Sequence, residues 1–407
     1  MDYSTLVRVI EHDAALRRRQ SLQPVGGKGD KIFPPTYPGE GRNAQPRHVF
    51  ERRRVAGNEV WCVLVDSVQS QANRLEECLL AAARQGLIDL PYVTVDFKNS
   101  NLAGLTEITS LDAPHRVYDA ILRDSLLDGQ PFMKSPLGLR LAAAKPGNAT
   151  ALLESSPSAL LFGAWHSTGE GGGFGAKFPR CLVSEIVAID APVDEIIDSR
   201  TGAIDPRTSG RRTGSRIDPL GVLRRVEVFK GPDGWDTDKK RAGNGAKSAR
   251  PSEINHGNIA PSVQALGVTC DHVEHVAVIS FAGLRRLSYG EASRDRAGRA
   301  LLAAIGLVAL AEQDARGYAL RSRCDLVCDG RAPLELVHAD GSIDTLDVAH
   351  AGALELFAEA RRVAVASGFE LRTVPTRLIP QEKLVEIVRR SQTLALEGEG
   401  GEAEDAP

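Results

Sequence analysis

The chain reads as an α+β protein with a core of split β-α-β type and large insertions, on three observations. A nearly continuous apolar run, Val60–Val65, passes through Asp66-Ser67 into an amphipathic helix. A second apolar strand, Val273–Phe281, leads to a long helical stretch at 290–316. Between these units lies a charged, turn-rich segment, 196–260, with weak hydrophobic periodicity. The 407 residues leave room for more than one domain equivalent.

Taken in order, residues 5–20 predict a short amphipathic helix with a basic end, Arg17-Arg18-Arg19. From 21 to 58 the chain is rich in Gly, Pro and Arg, and Pro34-Pro35 within Ile32–Tyr37 exclude a helix. Residues 1–58 are therefore expected to form an extended N-terminal segment. The helix after Asp66 places Ala72, Leu75, Leu79 and Ala82 on one face and stops at Gly86. Leu90–Phe97 reads as extended, 113–128 as helical, and 134–154 as helix broken by Pro146-Gly147. Leu160–Trp165 and Cys181–Ile189 read as strands, and the insertion should hold a strand or hairpin at Leu223–Phe229. A strand pair at 318–338 and helices at 347–367 and 380–395 complete the core. The tail Glu397–Pro407 has five acids and no base and is expected to be disordered. The expected units are 1–58, 59–195, 196–262, 263–395 and 396–407.

Net charge is −3 and the pI about 6.3, so the chain as a whole is no basic nucleic-acid binder. Charge is concentrated locally: Arg207–Arg250 holds twelve Lys and Arg against five Asp and Glu, a net +7. Aromatic residues are 5%, which disfavours a surface built on base stacking. The six cysteines form no paired CxxC units, so a structural zinc is not expected and a reduced chain is. Met1–Gln20 lacks the pattern of a signal peptide, and no run of about 18 apolar residues exists. A cytoplasmic location without membrane contact follows as the expectation.

Three segments are candidates for ligand contact. At the strand-to-helix junction, Ser67, Gln69, Ser70, Asn73 and Arg74 surround a helix N-terminus and can donate to phosphate or ribose oxygens; the same residues would also serve as a plain cap. The run Trp165–Arg180 is glycine-rich, which allows backbone amides near an anion, and it offers His166, Lys177, Phe178 and Arg180; it is no P-loop, and Pro179 rules out a dinucleotide turn. The insertion adds Arg211, Arg212 and Arg216, as a binding surface or as a solvated mobile loop. Catalytic and metal readings are weaker. His272 and His275 would face opposite sides of a strand, Cys324 and Cys328 suit buried thiols, and no nucleophile elbow is present. No cofactor or metal is expected.

Together, Gly29–Tyr37 (which includes Lys31), Leu64–Glu76, Leu161–Thr168 and Gly175–Arg180 resemble the RAMP-superfamily backbone protein of type I-U (I-G) CRISPR systems, over most of residues 25–330. The resemblance implies an RRM-like, ferredoxin-like core decorated into a hand with thumb and fingers, the thumb assigned to the 196–262 insertion. It also implies a non-catalytic subunit that holds crRNA through backbone contacts. Its partners would be neighbouring copies of itself, other Cascade subunits, and target DNA through the guide. Two other readings stay open. One is a metal-dependent ribonuclease using Asp66 or Asp236, and the other a structural oligomer without nucleic acid.

Overall fold

In the computed structural model, which describes residues 1–39, 46–166, 175, 177–231 and 234–397, the chain is built on a nine-stranded sheet. Its strands are β1 (Ala15–Pro24), β2 (Phe50–Val55), β3 (Asn58–Asp66), β4 (Leu182–Ile189), β5 (His272–Ser280), β6 (Tyr318–Arg321), β7 (Cys324–Cys328), β8 (Leu334–Val337) and β9 (Ile343–Leu346). They lie in the order β6-β7-β1-β5-β4-β3-β2, with β8 also pairing β1 and β9 pairing β8. Every pairing is antiparallel.

One face of this sheet is packed and the other half-solvated, as antiparallel sheets allow. Leu16 and Leu22 of β1, Leu182 and Ile186 of β4, and Val273 and Ile279 of β5 are buried at alternating positions. The intervening residues carry charge and pair across strands, Arg19 with Glu274 and Arg53 with Glu185, both at 2.8 Å. Against the packed face lie α1 (Tyr3–His12), α2 (Val68–Arg84), α3 (Ala292–Arg316) and α4 (His350–Ala366). The centre of this layer is α3, which is apolar nearly all round from Ala297 to Leu310 and touches the other three. Gly306 lets it sit close: a Cβ there would stand 3.0 Å from Ile279 Cδ1 and 3.1 Å from Leu182 Cδ1.

A separate five-stranded sheet joins Val93–Asp96, Glu107–Thr109, Ser125–Leu127 and Gln130–Pro131 to Thr376–Pro380, which runs parallel to Val93–Asp96. The insertion between β4 and β5 folds as ribbons: a hairpin of Val193–Ile197 and Ile204–Thr208, a pair of Arg212–Arg216 and Ile259–Gln264, and three strands at Val228–Gly231, Gly234–Asp236 and Lys247–Ala249.

The mixed helix-and-sheet architecture agrees with the sequence reading, and several segments correct it. The helix expected over 5–20 ends at His12, and 15–24 is strand β1. Leu16, Arg18, Gln20 and Leu22 are buried in alternation, a period of two that splits the triple arginine between the faces. The segment 1–58, expected to be extended, thus supplies a central strand. Leu160 and Leu161 close a short helix, Pro157–Leu161, with Pro157 at its first position, so only Ala164–Trp165 is strand. The stretch 113–128 divides into a 3₁₀ turn at Arg116–Tyr118, one helical turn at Ala120–Arg123 and the strand Ser125–Leu127. The strand expected at Leu223–Phe229 begins only at Val228. Residues 398–407 of the acidic tail lie outside the described residues.

A row of polar side chains crosses the packed face and separates its two apolar clusters. Arg18 pairs with Asp314 and reaches Nδ1 of His275 at 3.3 Å. Arginine can only donate, so Nδ1 accepts and the proton sits on Nε2, which donates to Ser184 at 2.6 Å. Ser184 then donates to Gln71 Oε1 at 3.2 Å, and Gln71 Nε2 donates to Asp66 at 2.7 Å. Burial, then the Arg18 charge, holds the His275 imidazole well below its usual range. His275 therefore stays neutral in the folded state while the unfolded chain takes up a proton near pH 6.5. Its contribution to stability is complete above that pH and declines by up to about 1.4 kcal/mol per unit as pH falls. Urea unfolding at pH 7.5 and 5.0 should show this loss in the wild-type chain, and His275→Gln should remove that part of the difference.

Candidate nucleic-acid interface

The junction of β3 and α2 is organised by Asp66, whose side chain is fully buried. Its carboxylate accepts from Ser70 Oγ at 2.8 Å, Gln71 Nε2 at 2.7 Å, and Arg74 Nε and Arg321 Nη2 at 3.0 Å each. Arg74 donates further to the Leu320 carbonyl and Arg321 to that of Val65. Both arginines thereby clip the β6–β7 hairpin onto the start of α2. Ser67 is the N-cap and accepts from the Ser70 amide. Of the predicted contact residues here, Ser70 and Arg74 are thus turned into the protein, while Gln69 and Asn73 are exposed. Asp66 has no free carboxylate edge for the ribonuclease reading, and Asp236 is held by Arg241 at 3.1 Å.

A second set lies around the start of the glycine-rich run. Trp165 pairs with Lys177 across a two-residue ribbon, is 57% exposed, and has the Lys177 ammonium 5.8 Å from its ring centre. The His166 ring stacks on Tyr118 with centroids 4.7 Å apart, and burial lowers its pKa. Arg180 is exposed beside Gly163, and Phe178 is a core residue at 3% exposure that seats the ribbon. Beneath them Arg116, in left-handed backbone (φ +55°), donates to both Glu76 oxygens at 2.7 Å and to the Gly163 carbonyl at 2.9 Å. Burial pushes the Glu76 carboxyl up to about 7 against the pull of Arg116. This buried pair fixes where the chain turns toward Trp165. Residues 167–174 and Ala176 lie outside the described residues.

The third set is in the insertion. Lys31 donates to the Arg211 carbonyl at 2.6 Å, which joins the N-terminal segment to the insertion's base. Arg211 donates to the Thr208 and Gly210 carbonyls at 3.0 Å each and meets Asp194 at 3.4 Å, and Arg216 donates to the Asn255 carbonyl. Arg212, Arg224, Arg225, Lys239, Lys240 and Lys247 are exposed and make no ion pair among the described residues. The structure therefore joins Lys31 to Arg211 and gathers His166, Lys177 and Arg180. Among the described residues, no hydrogen bond or ion pair links these two groups.

The sequence reading did not name Trp165 as a contact residue: its exposure and its place beside the Lys177 ammonium arise only when the two ends of the glycine-rich run pair as a ribbon. The candidate metal histidines separate: His275 is in the buried row and His272 pairs with Asp271 at 2.8 Å. Among the described residues, no group of three or more His, Cys, Asp or Glu is placed to hold a metal, and no helix is long and apolar enough to cross a membrane.

Residues 16–193 match a family model described as CRISPR-associated protein GSU0053, which bears out the family resemblance over that stretch, a little under half of the chain. A structure search finds the crystal structure of Thermofilum pendens Csc2 at 10% identity and a TM-score of 0.32, with 97% of this chain and 94% of that chain covered. At that score the likeness defines no shared fold. No curated protein matches.

Replacing Asp66 by Ala strands two arginine heads and two further donors. The expected loss is about 3 kcal/mol, the low end for a broken buried pair, because Arg74 and Arg321 keep partial access to water. Urea denaturation of the Asp66→Ala variant measures it.

Proposed function

We propose that this chain is a non-catalytic subunit that holds guide RNA (crRNA) in a CRISPR interference complex, with copies assembled side by side along the RNA. The observation that carries the reading is the insertion. A chain of net charge −3 places a net +7 in Arg207–Arg250, on ribbons whose cations largely lack acidic partners. Such unneutralised charge suits a polyanion, and the family match of residues 16–193 supports RNA as that polyanion. A subunit that accepts any guide should contact phosphate and ribose and leave the bases free to pair with target DNA.

In this reading the strands in the order β7-β1-β5-β4, with α2 and α3 packed on one face, are the RRM-like, ferredoxin-like core. The hairpin β2–β3, the second sheet and the insertion decorate it. The insertion, 196–262, is the thumb; 59–195 and 263–395, together with β1 from the N-terminal segment, form the palm. Lys31, Gln69, Asn73, His166, Lys177, Arg180, Arg211, Arg212 and Arg216 are the contact residues. Ser67, Ser70, Arg74 and Phe178 shape the surfaces that present them. Its partners are crRNA, other copies of the chain, other subunits of the complex and the target strand, in the cytoplasm.

Co-expression with a CRISPR array and the neighbouring subunits should yield an assembly carrying discrete repeat-spacer RNA. Joint reversal of Lys177, Arg211 and Arg212 to Glu should release it and lower the salt slope of binding by about 2, three phosphate contacts at roughly 0.7 each. A monomer free of nucleic acid, with its partners soluble, would sink the reading. Regular, metal-dependent cutting of complementary RNA would favour the ribonuclease instead.

A further inference from the structure

Three segments distant in sequence meet at one exposed corner: Lys31–Phe33, the insertion base Thr208–Arg211 with Gly267, and the turn Ser322-Arg323 of the β6–β7 hairpin. The backbone itself joins them. Ile32 and Val268 exchange hydrogen bonds at 2.9 and 2.8 Å, and the Phe33 amide donates to the Arg323 carbonyl at 3.0 Å. Thr208 Oγ1 donates to the Gly267 carbonyl at 2.5 Å. Gly210 allows this approach, since a Cβ there would collide with the Gly267 carbonyl oxygen; a Cβ on Gly267 would stand 2.8 Å from Lys31 Cδ and 3.0 Å from Phe33 Cζ.

The side chains brought together are cationic around one ring. The Arg323 guanidinium lies 4.7 Å and the Lys31 ammonium 5.7 Å from the centre of the half-buried Phe33 ring. Lys31 also donates to the Arg211 carbonyl, so a third cationic residue adjoins the corner, its guanidinium held at the insertion base by the Thr208 and Gly210 carbonyls at 3.0 Å each. Acids nearby are few. Asp30 accepts from the Lys31 amide, not its ammonium, and Asp194 meets Arg211 only at 3.4 Å. Arg323 is exposed and has no carboxylate partner among the described residues. It also occupies left-handed backbone, φ +60°, at a turn position that glycine or asparagine would take without strain. An arginine kept there, laid on a ring and unpaired, costs the turn something that its fold does not require.

We propose that Arg323 and Lys31, laid against Phe33, form with the neighbouring Arg211 a phosphate-binding corner for the single-stranded guide RNA, with Arg323 as the residue that grips from the hairpin turn. Phe33 acts as the floor that fixes the direction of both cations. The corner receives a phosphodiester of the RNA backbone and reads no base. This rests on the RNA-binding reading above and adds to it a contact from the C-terminal half of the chain, outside the stretch 16–193.

The test uses the full chain and a labelled single-stranded RNA of repeat-spacer sequence, titrated by anisotropy at several salt concentrations. Arg323→Gly relieves the backbone and should melt no lower than wild type. It should nevertheless weaken binding about fourfold at 0.15 M salt and reduce the log–log salt slope by about 0.7, one phosphate contact on a single strand. Phe33→Leu keeps the apolar floor but not the ring, and should weaken binding without the full change in slope. Arg362→Gln, an exposed charge removed from α4, serves as the comparison and should bind as wild type. Arg323→Gly binding with unchanged affinity and slope overturns the inference while the RNA-binding reading stands. An equal loss in Arg362→Gln also overturns it, because the effect is then only net charge. A wild-type chain that binds no RNA at any salt overturns both.

Discussion

Asp66 holds the assembly together. It ends β3, begins α2 and accepts four side-chain donors, one of them from a hairpin 255 residues further on. A carboxylate this deeply buried is tolerated only because every donor points at it. From it a single directed line of hydrogen bonds runs through Gln71, Ser184 and His275 to Arg18. Because arginine can only donate, the tautomer of His275 is set from the far end of that line. The line passes under three adjacent strands and cuts the packed face in two, with helices over one part and the β6–β7 hairpin over the other. Register in the sheet is thereby specified by polar matching as well as by apolar pattern. A slip of one residue would turn Arg18, His275 and Ser184 out to the other face.

How much of this could be read in advance followed from the range of the interactions involved. β3 and α2, β4, β5, α3 and α4 announce themselves by local pattern, and the structure has them within a few residues of expectation. β1 does not, because Arg17-Arg18-Arg19 looks like a solvated helix end. What makes Arg18 a core residue is Asp314, 296 positions away, and no window of sequence contains both. Thr376–Pro380 escapes notice for a related reason: five residues with a terminal proline carry little signal until Val93–Asp96 and Ser125–Leu127 supply both edges. At the candidate interface, composition identified the insertion's charge correctly as local, and the helix start correctly as rich in donors. It could not say which way the donors turn. Ser70 and Arg74 face inward because a buried acid lies one and two turns behind them, which only the fold reveals.

The candidate surfaces share a design. Aromatic rings here carry cations at their faces: Lys177 at Trp165, and Arg323 and Lys31 at Phe33. A ring so used fixes a charge in space at low entropic cost and is less available as a stacking platform for bases. That suits few aromatics and a low overall charge: a handful of well-held cations substitutes for a broadly basic surface.

The point of attachment of the insertion has a consequence for how such chains can diversify. It leaves the sheet at Ile189 and returns at His272, and these two residues are directly paired across β4 and β5. Its two ends are therefore held about 5 Å apart by the sheet itself. A loop closed on such a base is indifferent to its own length, since doubling it costs only about 0.6 kcal/mol in closure entropy. The sheet can accept longer or shorter ribbons at this doorway without renegotiating its register, so the outer part of the insertion is free to change while the frame stays constant.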